Sequence, residues 1–155
     1  MAALSRIRHV KIPVSDLVRS VDWYRGLLDL ELAAEFKEQG VLRGAQLMHP
    51  SGFGIALRER EYCASKPVLA DFDVFALEVD AVEELHRLAG RAKELGYTHS
   101  EVIDRGEYGA FLDIVDPDDT VIRFLANNPI HHGRFVGVDS GADGTFTVYD
   151  RPSLG

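Results

Sequence analysis

Among the side chains of this chain that can move a proton or hold a developing charge, His9, Glu107 and Arg123 are the candidates for chemistry. An unperturbed imidazole titrates at about 6.5, so His9 suits a general base or a hydrogen-bond donor to a ligand. Arg123 stands between Val121 and Leu125 on one face of the run TVIRFLA, with Ile122 and Phe124 on the other. Its guanidinium cannot deprotonate and carries no lone pair for a metal. Two roles are open to it on residue chemistry. One is a structural pair with a carboxylate such as Asp113 or Glu78; the other is an anchor for the anionic or carbonyl group of a small ligand. Glu107, in EYGAFLDIV, is the nearest further acid or base. Lys11 and Arg58 fall on the same expected face as His9. Phe53, Phe111, Tyr108 and Met48 are candidates for the apolar walls of a ligand pocket.

The elements that position these residues occur twice. In RHVKIPV, Val10, Ile12 and Val14 face one way and His9, Lys11 and Pro13 the other, which predicts a strand. Ser15 or Asp16 then caps a helix whose stripe is Leu17, Val21, Tyr24 and Leu28, followed by strand-like runs LELAAEF, VLRGAQLMH and GFGIALRER. DVFALEV restarts the order. Asp80, with Glu83 as capping-box partner, opens a second helix with the stripe Val82, Leu85, Ala89, Ala92 and Leu95, which Gly96 stops. THSEVID, YGAFLDIV and TVIRFLA complete the second unit. His9 matches Val74 at an offset of 65, and the turn proline Pro50 matches Pro117 at 67, which sets Ala56 against Arg123. A nearly constant offset signals internal duplication. The expected organisation is one domain: module one at 5–60, a linker at 61–71, module two at 72–126 and an extension at 127–155. The extension reads as a hairpin around DSGADG, placed to close over the site or to join a dimer contact. Helices must cover one face of each sheet. The other face is expected to carry His9, Lys11, Ala56 and Arg58 in one module, and Val74, Ala76, Glu78, Val121 and Arg123 in the other.

Composition narrows the function classes. A net charge of −8 opposes a phosphate backbone, so no nucleic-acid partner is expected. No apolar run approaches the roughly 18–20 residues of a membrane span, and MAALSRIRHV is too short and too soon charged for a signal peptide, so a cytoplasmic protein without a membrane partner is expected. Cys63, the single cysteine, allows no intramolecular disulfide and sits in a loop run with nothing to activate its thiol. His49, His86, His99 and the pair His131–His132 read as surface residues, and Trp23 and Tyr24 as packing residues of the first helix.

Residues 7–126 resemble the vicinal oxygen chelate superfamily, which includes glyoxalase I, bleomycin-resistance proteins and extradiol dioxygenases. The stretches that carry it are HVKIPVSDLVRSVDWYRGLLDLEL, FALEVDAVEELHRLAGRAKELG and DPDDTVIRF, the last with Asp119 where the family usually has glycine. The resemblance implies an α+β fold of two βαβββ modules forming a curled mixed β-sheet cup with helices on the outer face, and a homodimer. In the family's metalloenzymes four positions bind one divalent ion. Carried over, they fall at His9, Ala56, Val74 and Arg123, of which only His9 has a donor. The resemblance therefore implies a small-molecule binding protein with no cofactor, holding its ligand with His9, Lys11, Arg58, Arg123, Phe53, Phe111 and Met48. The alternative is a lyase, isomerase or dioxygenase of the glyoxalase/dioxygenase group with a displaced or absent metal, using His9, Arg123 and Glu107.

Overall fold

In the computed structural model, which describes residues 3–131 and 135–154, the first alternating run forms strand β1 (Val10–Val14), with Ile12 and Val14 fully buried. Asp16 opens helix α1 (Leu17–Leu28), its carboxylate accepting the Arg19 N–H at 3.0 Å. Strands β2 (Glu31–Glu38), β3 (Val41–Met48) and β4 (Gly54–Glu59) complete a sheet ordered β1-β4-β3-β2, with β1 and β4 parallel. Strand β5 (Asp73–Glu78), helix α2 (Val82–Leu95) and strands β6 (Ile103–Asp104), β7 (Gly109–Val115) and β8 (Val121–Asn127) repeat the order as β5-β8-β7-β6, again with the outer pair parallel. This is the α+β pair of βαβββ modules. α1 packs on β3 and β4, and α2 on β7 and β8. One core runs through both modules, with Tyr24, Leu47 and Leu57 in the same cluster as Leu85, Leu112 and Phe124. Among the described residues no helix is long and apolar enough to cross a membrane.

Two local expectations are corrected. The N-cap of α2 is Ala81, in extended conformation with no side-chain cap, and not Asp80. Asp80 lies one residue too far upstream for its carboxylate to meet the first free N–H groups, so the capping box with Glu83 does not form. THSEVID yields only the two residues of β6, because upstream the ladder thins to an isolated His99–Ile114 bridge.

The two sheets are separate ladders; among the described residues β1 and β5 are edge strands with no hydrogen-bonded neighbour on their outer sides. Helices and one turn join the modules instead. Trp23 stacks on Tyr97 with centroids 5.1 Å apart. Arg91 of α2 holds Asp29 at 2.8 and 3.0 Å and the Gly26 carbonyl at 2.8 Å, and this pairing keeps the Asp29 carboxyl below the usual range. The β7–β8 turn docks on α1: the Tyr24 hydroxyl donates to Asp116 at 2.8 Å, and the Ser15 N–H to Asp118 at 2.9 Å. Asp119 takes the left-handed conformation (φ 64) in this turn, which a short polar side chain tolerates. At the head of β7, Gly109 is required. Its φ is 104, and a Cβ there would lie 1.9 Å from the Ala126 carbonyl oxygen.

The extension carries an antiparallel hairpin of β9 (Gly137–Ser140) and β10 (Phe146–Tyr149). His132 and Arg134 lie outside the described residues, so the His131–His132 pair has no structural account.

Candidate functional site

Residues opposite one another in a ladder share a face. On the sheet face turned away from α1, Lys11 and Gln46 flank Ala56, and Pro13 and Gly44 flank Arg58. On the face turned away from α2, Ala76 and Asp113 flank Arg123, and Phe111 pairs with Leu125. The family positions carried over to Ala56 and Arg123 therefore lie on these faces, beside the edge strands β1 and β5.

A bulge in β5 decides what surrounds Arg123. From Asp73 to Ala76 the strand takes three steps where β8 takes two, from Val121 to Arg123. The extra residue brings Asp73 round to the same face. Val74, the carried-over metal position, falls inside the bulge, and Ala76 stands opposite Arg123. Arg123 donates from Nε and Nη2 to the two oxygens of Asp113, both at 2.8 Å, and Nη1 lies 2.7 Å from Asp73. The Asp113 hydrogen bond, together with the charges of Asp113 and Asp73, holds the guanidinium above its ordinary pKa. The partner of Arg123 is thus Asp113, as expected, joined by Asp73. Glu78 accepts instead from Asn127, at 3.5 Å, and Asn127 in turn accepts from Arg105 at 3.1 Å. The Phe111 ring lies between the two arginines, 4.8 Å from the Arg123 guanidinium carbon and 5.8 Å from that of Arg105.

The other face is less charged. His9 precedes β1 beside Gly54; a Cβ on Gly54 would come within 3.3 Å of the His9 Cβ and 2.6 Å of the Met48 sulfur. Met48 fills that space and accepts from Gln46 at 3.5 Å. The His9 Nδ1 atom is buried with no hydrogen-bond partner among the described residues. Lys11 is exposed, and Arg58 is engaged at the rim by Glu38 and the Tyr62 carbonyl. Phe53 does not join this face. It packs against the core on the helix side and stacks on His49, centroids 4.8 Å apart. Glu107 lies in the turn Gly106–Tyr108 that leads into β7, beside the Tyr108 hydroxyl, whose pKa is raised by partial burial and then by the Glu107 charge.

The residues at the four carried-over positions do not fit a divalent ion. Ala56 and Val74 offer no donor atom, and Arg123 puts a cation where an anionic ligand is needed. Asp73 and Asp113 are oriented on that cation. Among the described residues no three His, Cys, Asp or Glu side chains converge on a common point. Asp73, Gln46, Arg105 and Asn127 are site residues that no sequence expectation named. Gln46 and Asn127 were open to strand-parity counting, whereas Arg105 lies in the loop after β6 and the bulge that turns Asp73 inward has no sequence mark.

The family model described as glyoxalase/bleomycin resistance protein/dioxygenase superfamily matches residues 6–124. Among solved structures, the chain is similar to a glyoxylase/bleomycin resistance protein/dioxygenase domain from Frankia sp. EAN1pec, at 22% identity and a TM-score of 0.69, covering 84% of this chain and 97% of that one. It is similar to TnmS3, an antibiotic binding protein from Streptomyces sp. CB03234, at 20% identity and a TM-score of 0.66, covering 82% and 99%. It is also similar to FosX, a genomically encoded fosfomycin resistance protein from Listeria monocytogenes complexed with manganese(II) and sulfate, at 16% identity and a TM-score of 0.62, covering 81% and 92%. Identities this low speak for the fold alone. No curated protein matches the chain.

Proposed function

Because the chain belongs to the glyoxalase/bleomycin resistance protein/dioxygenase superfamily, with a matched region of residues 6–124, we propose that it is a metal-independent binding protein for a small, neutral, carbonyl-bearing aromatic molecule. The ligand lies on the sheet face around Arg123. The observation that carries this reading is the Asp73–Arg123–Asp113 cluster. A guanidinium has five N–H groups, and three are committed here to carboxylates. The remaining two can donate to a carbonyl oxygen. Two carboxylates against one guanidinium leave the cluster net negative, which disfavours an anion. Phe111 offers a ring for stacking, and the exposed Ala76, opposite Arg123, leaves room where a longer side chain would fill the face. The relative named as an antibiotic binding protein supports binding of a small molecule as the function class.

The expected result is that 2-acetylnaphthalene binds and 2-naphthoate, of the same ring size but anionic, binds at least about tenfold more weakly. Calorimetry on the wild type and on Arg123→Met reads both ligands; the variant, left with two carboxylates and no donor for the carbonyl, should bind 2-acetylnaphthalene more weakly and 2-naphthoate no better than the wild type does. Tighter binding of 2-naphthoate, lost in Arg123→Met, would make Arg123 an anion anchor and sink the neutral-ligand reading. Elemental mass spectrometry of the purified, untagged protein, after exposure to Zn²⁺, Fe²⁺, Mn²⁺ and Ni²⁺ in turn, should find less than about 0.1 equivalent per chain on donor chemistry alone. Near-stoichiometric metal that disappears in His9→Ala would restore a chelate enzyme as the leading reading.

A homodimer is part of the same proposal. Free edges on β1 and β5 and the half-exposed Leu32 and Phe36 on edge strand β2 support it. Sedimentation equilibrium should return twice the 17.2 kDa chain mass. A monomer at micromolar concentration would exclude it.

A further inference from the structure

The sheet face around Arg123 has a second polar end. Across the ladder of module two, Glu78, Leu125, Phe111 and Ile103 stand in one row. Arg123 lies two residues before Leu125 on β8, and Asn127 two residues after it, all on the same face. Leu125, Phe111 and Ile103 thus form an apolar strip between two polar ends. Those ends are four strand residues apart, roughly 13 Å along the backbone. Ile103 is 42% exposed, and Leu125 and Phe111 are partly exposed, so the strip is open to a flat ligand.

The second end is built around Gly109, which pairs with Asn127 in the ladder and can carry no side chain there. That gap lets Arg105, in the loop after β6, reach across. Its Nη2 donates to Asn127 Oδ1 at 3.1 Å, and Asn127 Nδ2 donates to Glu78 at 3.5 Å. The amide has one possible orientation, because a guanidinium only donates and an ionised carboxylate only accepts. Asn127 therefore both joins Arg105 to Glu78 and holds them apart. Among the described residues no carboxylate pairs directly with Arg105, and Glu78 accepts only this long bond. The guanidinium keeps N–H groups to donate, and the carboxylate keeps lone pairs to accept. The Arg123 end differs, since two carboxylates already meet its guanidinium.

We propose that Arg105, Asn127 and Glu78 form a second subsite for the same ligand, and that this subsite recognises an uncharged hydroxyl. The ligand is then a hydroxyaryl ketone: its rings lie on Phe111 and Leu125, its carbonyl meets Arg123, and its hydroxyl at the opposite end accepts from Arg105 and donates to Glu78. This rests on the reading of Arg123 as the carbonyl anchor. A donor and an acceptor side by side match a group that is itself both. An anion at this end would face Glu78 and a cation would face Arg105, so charge of either sign is opposed. An ether oxygen would satisfy Arg105 and leave Glu78 unmet. The Phe111 ring lies within cation–π range of both guanidiniums, so a ligand stacked on it is within reach of both polar ends.

Three probes test this by calorimetry on the intact protein: 2-acetylnaphthalene, 2-acetyl-6-hydroxynaphthalene and 2-acetyl-6-methoxynaphthalene. The buffer is mildly acidic, so that the phenol keeps its proton. The hydroxy ketone should bind at least about fivefold more tightly than 2-acetylnaphthalene, the gain expected of one or two added hydrogen bonds. The methoxy ketone, which can accept but not donate, should show no such gain. Arg105 is exposed, so Arg105→Met should leave the fold intact. It should bring the hydroxy ketone to about the affinity of 2-acetylnaphthalene and leave the latter within about twofold of its wild-type value. Arg123→Met should weaken both ketones alike and preserve their ratio. Equal binding of the hydroxy ketone and 2-acetylnaphthalene, an equal gain for the methoxy ketone, or an advantage that survives Arg105→Met would each overturn this proposal and leave the carbonyl anchor standing. No binding of any probe would overturn both.

Discussion

Asp116→Ala is expected to cost about 3–4 kcal/mol of stability. Asp116 is 3% exposed, and its carboxylate organises the β7–β8 turn that joins the modules. It accepts from the Tyr24 hydroxyl, the Asp118 N–H and the Thr120 N–H, each at 2.8 Å. Alanine leaves the Tyr24 hydroxyl and the Thr120 N–H buried without an acceptor, at about 1–3 kcal/mol each. Part of that loss is offset, because burial already disfavours the ionised carboxylate and raises its pKa. The Tyr24 hydroxyl is pushed well up by its own burial and by Asp116. For a chain of this size the loss should lower Tm by about 8–12 °C. Asp116→Asn keeps an acceptor in place and should cost about 1 kcal/mol.

The same residue predicts an unusual pH dependence. Its folded-state pKa lies above the ordinary 3.8, so the folded protein holds this proton more tightly than the unfolded chain does. The linked stability is fully present below that ordinary value and is lost as pH rises through the raised one. Denaturant melts of wild type and Asp116→Asn across this acid window should show the wild type gaining relative to the variant as pH falls. A difference that stays flat, or that grows with pH, would mean that the bonds from Tyr24, Asp118 and Thr120 outweigh desolvation.

Arg123→Met is expected to cost about 2 kcal/mol. Breaking a buried pair commonly costs more. Here the side chains of Arg123, Asp73 and Asp113 are 33%, 39% and 22% exposed, and solvent screens part of the loss. What remains is repulsion between two carboxylates left facing one another, and the loss of the guanidinium beside Phe111. Arg123→Lys should recover only part of it, because an ammonium cannot reproduce the two parallel bonds to Asp113. A double-mutant cycle with Asp113→Asn, read by urea denaturation, isolates the pair. A coupling below about 0.5 kcal/mol would mean that the cluster is screened and that Arg123 owes its place to the ligand alone.

The sequence by itself determined the architecture, because alternation and helical stripes are local signals that were present twice in the same order. Val10, Ile12 and Val14 on one face of a strand, and Leu17, Tyr24 and Leu28 on one face of a helix, can be buried together in few ways. The duplication offset then placed Ala56 and Arg123 in equivalent positions, and the types of those two residues argued against a metal before any contact was known. A carboxylate partner for Arg123 was also foreseeable, since a half-buried cation demands one, and Asp113 lies directly opposite it in a β-hairpin.

Only the tertiary structure decided the rest. Asp73 reaches Arg123 through a bulge, and a bulge is a property of two strands fitted together, which the parity of one strand does not reveal. Phe53 left the sheet face for the helix side because it follows a turn whose direction depends on what packs beneath it. Tyr24 reads as a core residue by its spacing, yet its hydroxyl meets Asp116, 92 residues away, across the module junction. The helix-side cleft lined by Leu27, Phe53, Leu88 and Phe124 exists only where the two modules meet. Local pattern is set by each residue's neighbours in the chain, but charge pairing and cavities are set by neighbours in space, and those are fixed only when the modules dock.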